Sequence, residues 1–186
     1  MAIVQPSVFL KLQSGKLTGD QVLKSQKKLK DLEGVFQDEQ IRAALPQESL
    51  IYEVQAFMPI AEGKSGGLFF GNSTIYPGKI GAEYHMTRGH FHSNLDTGEY
   101  YWGVKGEGIL IMMDEDRNVW AEEMSEGSVH YIPGKVAHRV ANVGEELLVF
   151  NACWPSDAGH DYATIAEKGF AARLVEVDGE PKLVDS

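Results

Sequence analysis

From Ser49 onward, the sequence is a succession of short apolar runs separated by turn-forming residues. Each run is rich in β-branched and aromatic residues, a composition typical of strands. Glycine, proline and asparagine mark the breaks between runs. Strands at this spacing, without helical patterns between them, predict an all-β sandwich or barrel. The expected strands are 50–58, 73–77, 100–104, 109–113, 119–124, 129–133 and 147–153.

The N-terminal part has a different pattern. We expect one domain over residues 1–186, with an N-terminal extension of short helices at 1–48 and a barrel at 49–186. Residues 24–32 contain helix formers with sparse apolar spacing, which predicts a helix whose lysines are solvated. Asp38 is expected to cap a second short helix that stops at Pro46. The tail, 171–186, is expected to form one more strand.

The composition narrows the possible partners. The chain has 17 basic and 27 acidic residues and a net charge of −10, which argues against nucleic acid and anionic membrane. A bound phosphate would need local donors, such as backbone N–H groups and hydroxyls. The single cysteine, Cys153, excludes an internal disulfide, as expected in a reducing compartment. We find no secretory signal and no long apolar run, and therefore expect a soluble cytoplasmic protein.

Four side chains have the types and spacing of a metal-ligand set. His90 and His92 are two residues apart, so on a strand both imidazoles project from the same face. Together with the carboxylate of Glu99 and a third imidazole, His138, they can bind a first-row transition metal and leave room for water or substrate. A divalent metal beside a carboxylate can polarise a substrate oxygen while protons move on carbon. The set therefore predicts a metalloenzyme.

The residues around these ligands are similar to those of known proteins. Glycines follow Glu99, and Gly127, Pro133 and Asn142 surround His138, at a spacing that resembles the paired motifs of the cupin superfamily. A closer resemblance, to the cupin-type glucose-6-phosphate isomerases, runs from about residue 24 to the C-terminus. It is carried by segments 32–34, 51–54, 76–81, 87–92, 137–139, 155–162 and 167–170.

This resemblance implies a cupin jelly-roll barrel, a homodimer and a metal-dependent aldose–ketose isomerase acting on glucose 6-phosphate and fructose 6-phosphate. It implies one divalent transition metal per chain, Fe²⁺ ahead of Mn²⁺, Ni²⁺, Co²⁺ or Zn²⁺. The implied metal ligands are His90, His92, Glu99 and His138. Catalytic roles are implied for Glu99, as the residue that moves the proton between C1 and C2, and for Tyr101 and His160. Substrate-binding positions are implied at Tyr52, Ser73, Thr87, Gly89 and Trp154, the last being a tyrosine in close relatives.

Without the family resemblance, the residues alone leave alternative mechanisms, residue roles and functions open. The isomerisation needs a base over C1 and C2 and an electrophile for the developing oxyanion, and the hydrogen could move as a proton or as a hydride. Without the resemblance, Tyr52, Tyr101 and Trp154 are also consistent with aromatic residues that fill a barrel, and for Tyr52 that interpretation is the stronger one. The competing functions are another metal cupin, either a dioxygenase or a mannose-6-phosphate isomerase, and a non-catalytic sugar-binding cupin.

Overall fold

The computed structural model describes residues 1–186 and is predominantly β, which confirms the expected fold class. The helices are a 3₁₀ turn at Leu29–Leu32, α1 at Glu39–Ala44 and α2 at Ala163–Lys168. The strands are β1 (Phe9–Leu10), β2 (Leu17–Thr18), β3 (Val22–Lys28), β4 (Leu50–Phe57), β5 (Leu68–Ile75), β6 (Lys79–Ile80), β7 (Glu83–Tyr84), β8 (Glu99–Lys105), β9 (Gly108–Met113), β10 (Val119–Met124), β11 (Val129–Ile132), β12 (Ala137–Asn142), β13 (Leu148–Pro155), β14 (Ala172–Val177) and β15 (Glu180–Asp185). None of the helices is long and apolar enough to cross a membrane.

Two antiparallel sheets form the body of the molecule. The larger has the strand order β11-β8-β13-β5-β4-β3, and the smaller has the order β10-β9-β12. Isolated bridges from Met86 to Ala141 and from His90 to His138 extend the smaller sheet beyond β12. Between β8 and β13 the chain passes repeatedly from one sheet to the other, which is the connectivity of a jelly roll. The expected jelly-roll barrel is therefore confirmed.

The core lies between these sheets. Every residue of β12 is buried, and so is most of β9. A single cluster of 27 buried residues contains side chains from both sheets, including Ile111, Met112 and Phe150. Burying a side chain of this size contributes about 1.5–3 kcal/mol. This packing fixes the separation of the two sheets, and the residues of the candidate site are carried on both.

The predicted helix over residues 24–32 is wrong. Val22–Lys28 is extended and pairs antiparallel with β4, with Lys27 opposite Tyr52, and only Leu29–Leu32 forms a short 3₁₀ turn. Without β3, the backbone groups along the free edge of β4 would lack partners, and that pairing outweighs a weak helix propensity. The second helix is confirmed as α1, and Asp38 accepts a hydrogen bond from the backbone N–H of Ile41 at 2.8 Å.

The C-terminal tail forms two strands, where one was expected. β14 and β15 pair as a hairpin around Asp178-Gly179, with φ angles of 54° and 83°. An Asp-Gly pair favours such a turn because both central residues need positive φ, so this dipeptide was the overlooked signal. Strand β12 and helix α2 were also not predicted. Strand β12 contains a histidine, an arginine and an asparagine, all of them buried, which masks its character as a core strand.

Candidate metal centre and active site

The segment that contains the two closely spaced histidines is held along both edges. His90 and His138 exchange backbone hydrogen bonds, with N···O distances of 3.3 and 3.1 Å. On the other edge, Phe91 and Asp161 exchange a second pair, at 3.2 and 2.8 Å. Gly89, directly before this segment, has φ +80°, and a Cβ there would lie 2.8 Å from the ring of Phe170. The position therefore requires glycine.

The structure brings the four predicted metal ligands together. One ligand atom from each of His90, His92, Glu99 and His138 lies within 4.8 Å of the others. The Nε2 atom of His138 is 2.5 Å from Oε1 of Glu99, and the Nε2 atom of His92 is 3.4 Å from the same oxygen. His92, Glu99 and His138 are buried. A small, enclosed cluster of three imidazoles and one carboxylate is the result.

Three atoms of this cluster are buried without a hydrogen-bond partner: Nε2 of His90, Oε1 of Glu99 and Nε2 of His138. The last two are 2.5 Å apart but do not have the geometry of a hydrogen bond. Buried polar atoms nearly always have a partner, so a converging set without one needs an explanation. The Nδ1 atom of His92 donates to the carbonyl of Thr97 at 2.9 Å, and Nδ1 of His138 donates to the carbonyl of Val136 at 3.3 Å. These bonds leave the Nε2 lone pairs directed into the cluster, as in metal-binding histidines. The donor set fits a divalent transition metal.

The surroundings also set the protonation states of the ligands. Burial raises the pKa of Glu99, but the neighbouring His138 and His92 outweigh it and hold this pKa well below its usual value. Burial lowers the pKa of His90 well below 6.5, and His138 and His160 add to that shift. Glu99 is therefore ionised and His90 neutral at neutral pH, which are the forms that bind a metal. For His92, burial lowers the pKa but the contact with Glu99 outweighs it and raises that pKa, so a metal would have to compete with a proton there.

A cavity of about 270 Å³ opens next to the cluster. All of the predicted site residues line it except His92, which belongs to the cluster but not to the cavity lining. The predicted residues in the lining are Tyr52, Ser73, Thr87, Gly89, His90, Glu99, Tyr101, His138, Trp154 and His160. A larger cavity, of about 850 Å³, contains none of them. The smaller cavity is thus the one where the proposed chemistry can occur.

Three ionisable side chains surround the ligands inside this cavity. The ring of Tyr101 packs edge-on against that of His138, with centroids 5.6 Å apart, and burial next to Glu99 raises the pKa of Tyr101 well above 10. Burial raises the pKa of Tyr52 to about 12. The ring of His160 lies 4.5 Å from that of His90, and burial lowers the pKa of His160. At neutral pH the cavity therefore contains two phenols that retain their protons and a neutral imidazole.

The indole of Trp154 packs against strand β5 at Gly71. A Cβ built on Gly71 would lie 2.8 and 2.9 Å from two carbons of the indole. The edge of Phe69 supports the same indole, with ring centroids 5.9 Å apart. The indole therefore depends on the absence of a side chain at residue 71, and together they form one wall of the cavity.

The two predicted hydroxyls differ in their surroundings. The Oγ1 atom of Thr87 accepts a hydrogen bond from the backbone N–H of Val140 at 3.1 Å, which leaves the hydroxyl proton of Thr87 available to a ligand. Ser73 lies on β5, opposite Val54 of β4. Both hydroxyls line the cavity, so both can donate to an anionic group there.

Several lining residues were not found from sequence: Ser25, Lys27, Met58, Arg88 and Tyr162. The first two were missed because β3 was taken for a helix with solvated lysines. The ring of Tyr162 is parallel to that of His160, at 4° between planes and 5.7 Å between centroids. Tyr162 has no sequence signal of its own beyond its place near His160. Arg88 lies between two residues that were predicted.

Comparison with known proteins identifies relatives of this chain. The model of the family described as glucose-6-phosphate isomerase matches residues 26–184. Glucose-6-phosphate isomerase of Pyrococcus furiosus is 42% identical over 165 residues, which are 88% of this chain and 86% of that protein. The enzyme of the same name from Thermococcus kodakarensis is 42% identical over 177 residues, 94% of this chain and 91% of the other. The overlap therefore includes every residue of the cluster and cavity from Gln26 onward.

A bacterial relative extends the comparison. Glucose-6-phosphate isomerase of Sinorhizobium medicae is 38% identical over 159 residues, 83% of this chain and 73% of that protein. Among solved structures, oxalate decarboxylase from Bacillus subtilis aligns with 59% of this chain and 26% of its own, at 23% identity and a TM-score of 0.45. That overlap is too partial to bear on function.

Proposed function

This chain belongs to the glucose-6-phosphate isomerase family and is an enzyme of that activity, and we propose that it works at a divalent metal ion with Glu99 as the proton-transfer base. The ligands of the ion would be His90, His92, Glu99 and His138. The observation that carries this proposal is the convergence of four ligand atoms within 4.8 Å, three of them buried without a partner. The ion, when bound, would supply electrostatic stabilisation of negative charge on the substrate oxygens.

The proposed role of Glu99 follows from its charge and position. Its carboxylate is ionised at neutral pH, because His138 and His92 hold its pKa low. It lines the cavity next to Tyr101, so it can take the proton from C2 of glucose 6-phosphate and return it to C1. Tyr101 remains protonated at neutral pH and would donate a hydrogen bond to a substrate hydroxyl. A proton that moves through Glu99 predicts deuterium in the product when the reaction runs in D₂O, whereas a direct hydride shift predicts none.

The remaining site residues would bind and orient the sugar phosphate. His160 is neutral at neutral pH because burial lowers its pKa, so it can take the proton from the C1 hydroxyl and deliver it to the ring oxygen during ring opening. Thr87, Ser73 and the backbone N–H of Gly89 would donate to the phosphate group. Tyr52 and Trp154 would form the walls on either side of the carbon chain.

We propose Fe²⁺ as the ion, ahead of Mn²⁺, Ni²⁺, Co²⁺ or Zn²⁺. Three imidazoles and a carboxylate accept all of these ions, so the availability of each metal would decide which one is bound. We also propose that the active protein is a homodimer, which light scattering would test. Neither proposal affects the assignment of the ligands.

The decisive experiment is a coupled assay for conversion of fructose 6-phosphate. The protein is assayed as purified, after treatment with a chelator, and after each divalent metal is added back. We expect activity that is lost on chelation and restored by at least one ion. Full activity after complete removal of metal would overturn metal dependence, and no turnover with any ion would favour a non-catalytic sugar-binding protein.

A further inference from the structure

The cavity has two cationic side chains in its lining, Lys27 and Arg88. One nitrogen of the Arg88 guanidinium donates to the backbone carbonyl of Asp31 at 2.5 Å, which fixes that side chain in place. Lys27 belongs to none of the ion pairs of the structure, whereas its neighbours Lys28 and Lys30 both bind Glu48. Lys27 is therefore a free cation at the wall of an otherwise acidic protein.

The strand pairing places Lys27 on the inner face of the sheet. Lys27 lies opposite Tyr52, and Tyr52 lines the cavity. Alternate residues of a strand share a face, so Ser25 lies on the same side as Lys27, and both are in the lining. The intervening residue, Gln26, is absent from this lining and instead lines an adjoining groove, together with Lys24.

The two ends of the cavity differ in chemistry. Glu99 lies on β8, and β3 is the opposite edge strand of the same curved sheet, beyond β13, β5 and β4. The reacting carbons of a hexose phosphate are C1 and C2, at one end of the chain, and its phosphate is on C6, at the other. With C1 and C2 at the ligand cluster, the phosphate would be free to extend toward the β5–β4–β3 wall, which carries Ser73, Tyr52 and Lys27. The flexible four-carbon stem of a lysine lets its ammonium group follow a phosphate there.

We propose that Lys27 is the cation that receives the phosphate group of the substrate and thereby selects phosphorylated over unphosphorylated sugars. This inference rests on the proposed function. The overall charge of −10 repels a dianionic substrate, and hydroxyls and N–H groups alone leave that charge unbalanced. Of the two cations in the lining, Arg88 is held by the Asp31 carbonyl, so Lys27 is the one that is free to move to the phosphate.

The test compares Lys27→Ala with Lys24→Ala in the metal-loaded enzyme. Both variants remove one exposed charge from β3, but Lys24 lies in the other groove. For fructose 6-phosphate we expect Lys27→Ala to raise KM about tenfold with kcat within about threefold, and Lys24→Ala to leave both unchanged. Lys27→Arg should restore most of the affinity, because it restores the charge. Equal KM values for the two alanine variants would overturn the proposal.

Two further measurements separate a phosphate contact from a structural role. Inorganic phosphate should inhibit competitively, with an inhibition constant that rises in Lys27→Ala in parallel with KM. The kcat/KM for unphosphorylated fructose should be the same in wild type and Lys27→Ala, and a parallel loss for both sugars would overturn the proposal. If the wild type has no turnover, the proposed function fails, yet calorimetric titration with inorganic phosphate still tests Lys27: equal affinities for wild type and Lys27→Ala would overturn it.

Discussion

The Nε2 atom of His138 lies 2.5 Å from Oε1 of Glu99, although the strands that carry them, β12 and β8, belong to different sheets. The contact therefore reports the distance between the sheets at the candidate active site. Because the core packs between the sheets, a change in packing near the site would alter the distance between Glu99 and His138.

Glu99→Gln should remove turnover while retaining the fold. Glutamine has nearly the same shape but cannot accept a proton, so we expect kcat to fall by a factor of about 10²–10⁴. Binding of fructose 6-phosphate, measured by calorimetry, should change much less. Glu146→Gln is a suitable control, since Glu146 pairs with Lys105 on the surface. Wild-type kcat in Glu99→Gln would rule out Glu99 as the base.

Thr97→Val should weaken metal binding without preventing it. The Thr97 hydroxyl lies 3.0 Å from Nδ1 of His92, whose main contact is with the Thr97 carbonyl. Loss of one such supporting contact typically reduces metal affinity 10–100-fold, and because the carbonyl is retained we expect about tenfold. Competition with a chelator measures the affinity, and Thr18→Val, on the surface hairpin, serves as control. Equal affinities in the two variants would contradict this role for Thr97.

Gly71→Ala should displace Trp154. The added methyl group would lie within 3.0 Å of the indole, so the ring must turn into the cavity or the strands must separate. We expect a loss of about 1–3 kcal/mol in the free energy of unfolding and an increase in KM for fructose 6-phosphate. The smaller ring of Trp154→Tyr should relieve the strain, so the double variant should be more stable than Gly71→Ala alone. If the two substitutions instead have additive effects in urea denaturation, the contact is not responsible.

Stability should decline in mild acid partly because of His85. Burial lowers the pKa of His85 despite its hydrogen bond to the Tyr76 carbonyl, so protonation favours the unfolded chain. The destabilising effect of His85 is absent above about pH 6.5, where an unfolded histidine is neutral. As the pH falls below that value, it lowers the free energy of unfolding. In His85→Gln, the decrease in unfolding free energy between about pH 7 and about pH 5 should be smaller. Parallel pH profiles for the two proteins would show that His85 does not contribute.

The sequence predicts the cluster of three imidazoles and one carboxylate well, because metal-binding chemistry restricts candidate ligands to a few residue types at set spacing. His90 and His92 needed only the two-residue period of a strand, whereas His138 was included for its residue type, and its approach depends on the pairing of β12 with the chain at His90. Lys27 could not be identified, because local propensity favours a helix there and only the pairing with β4 makes it a cavity residue. Similarly, the fit of Trp154 over Gly71 depends on register between β13 and β5, which no local pattern contains.

Residues 90 and 91 are hydrogen-bonded to β12 on one side and to the chain around Asp161 on the other. Backbone hydrogen bonds on both edges restrict the conformational freedom of this segment. The imidazole of His90 is therefore already held beside His138 and Glu99 before any ligand enters the cavity.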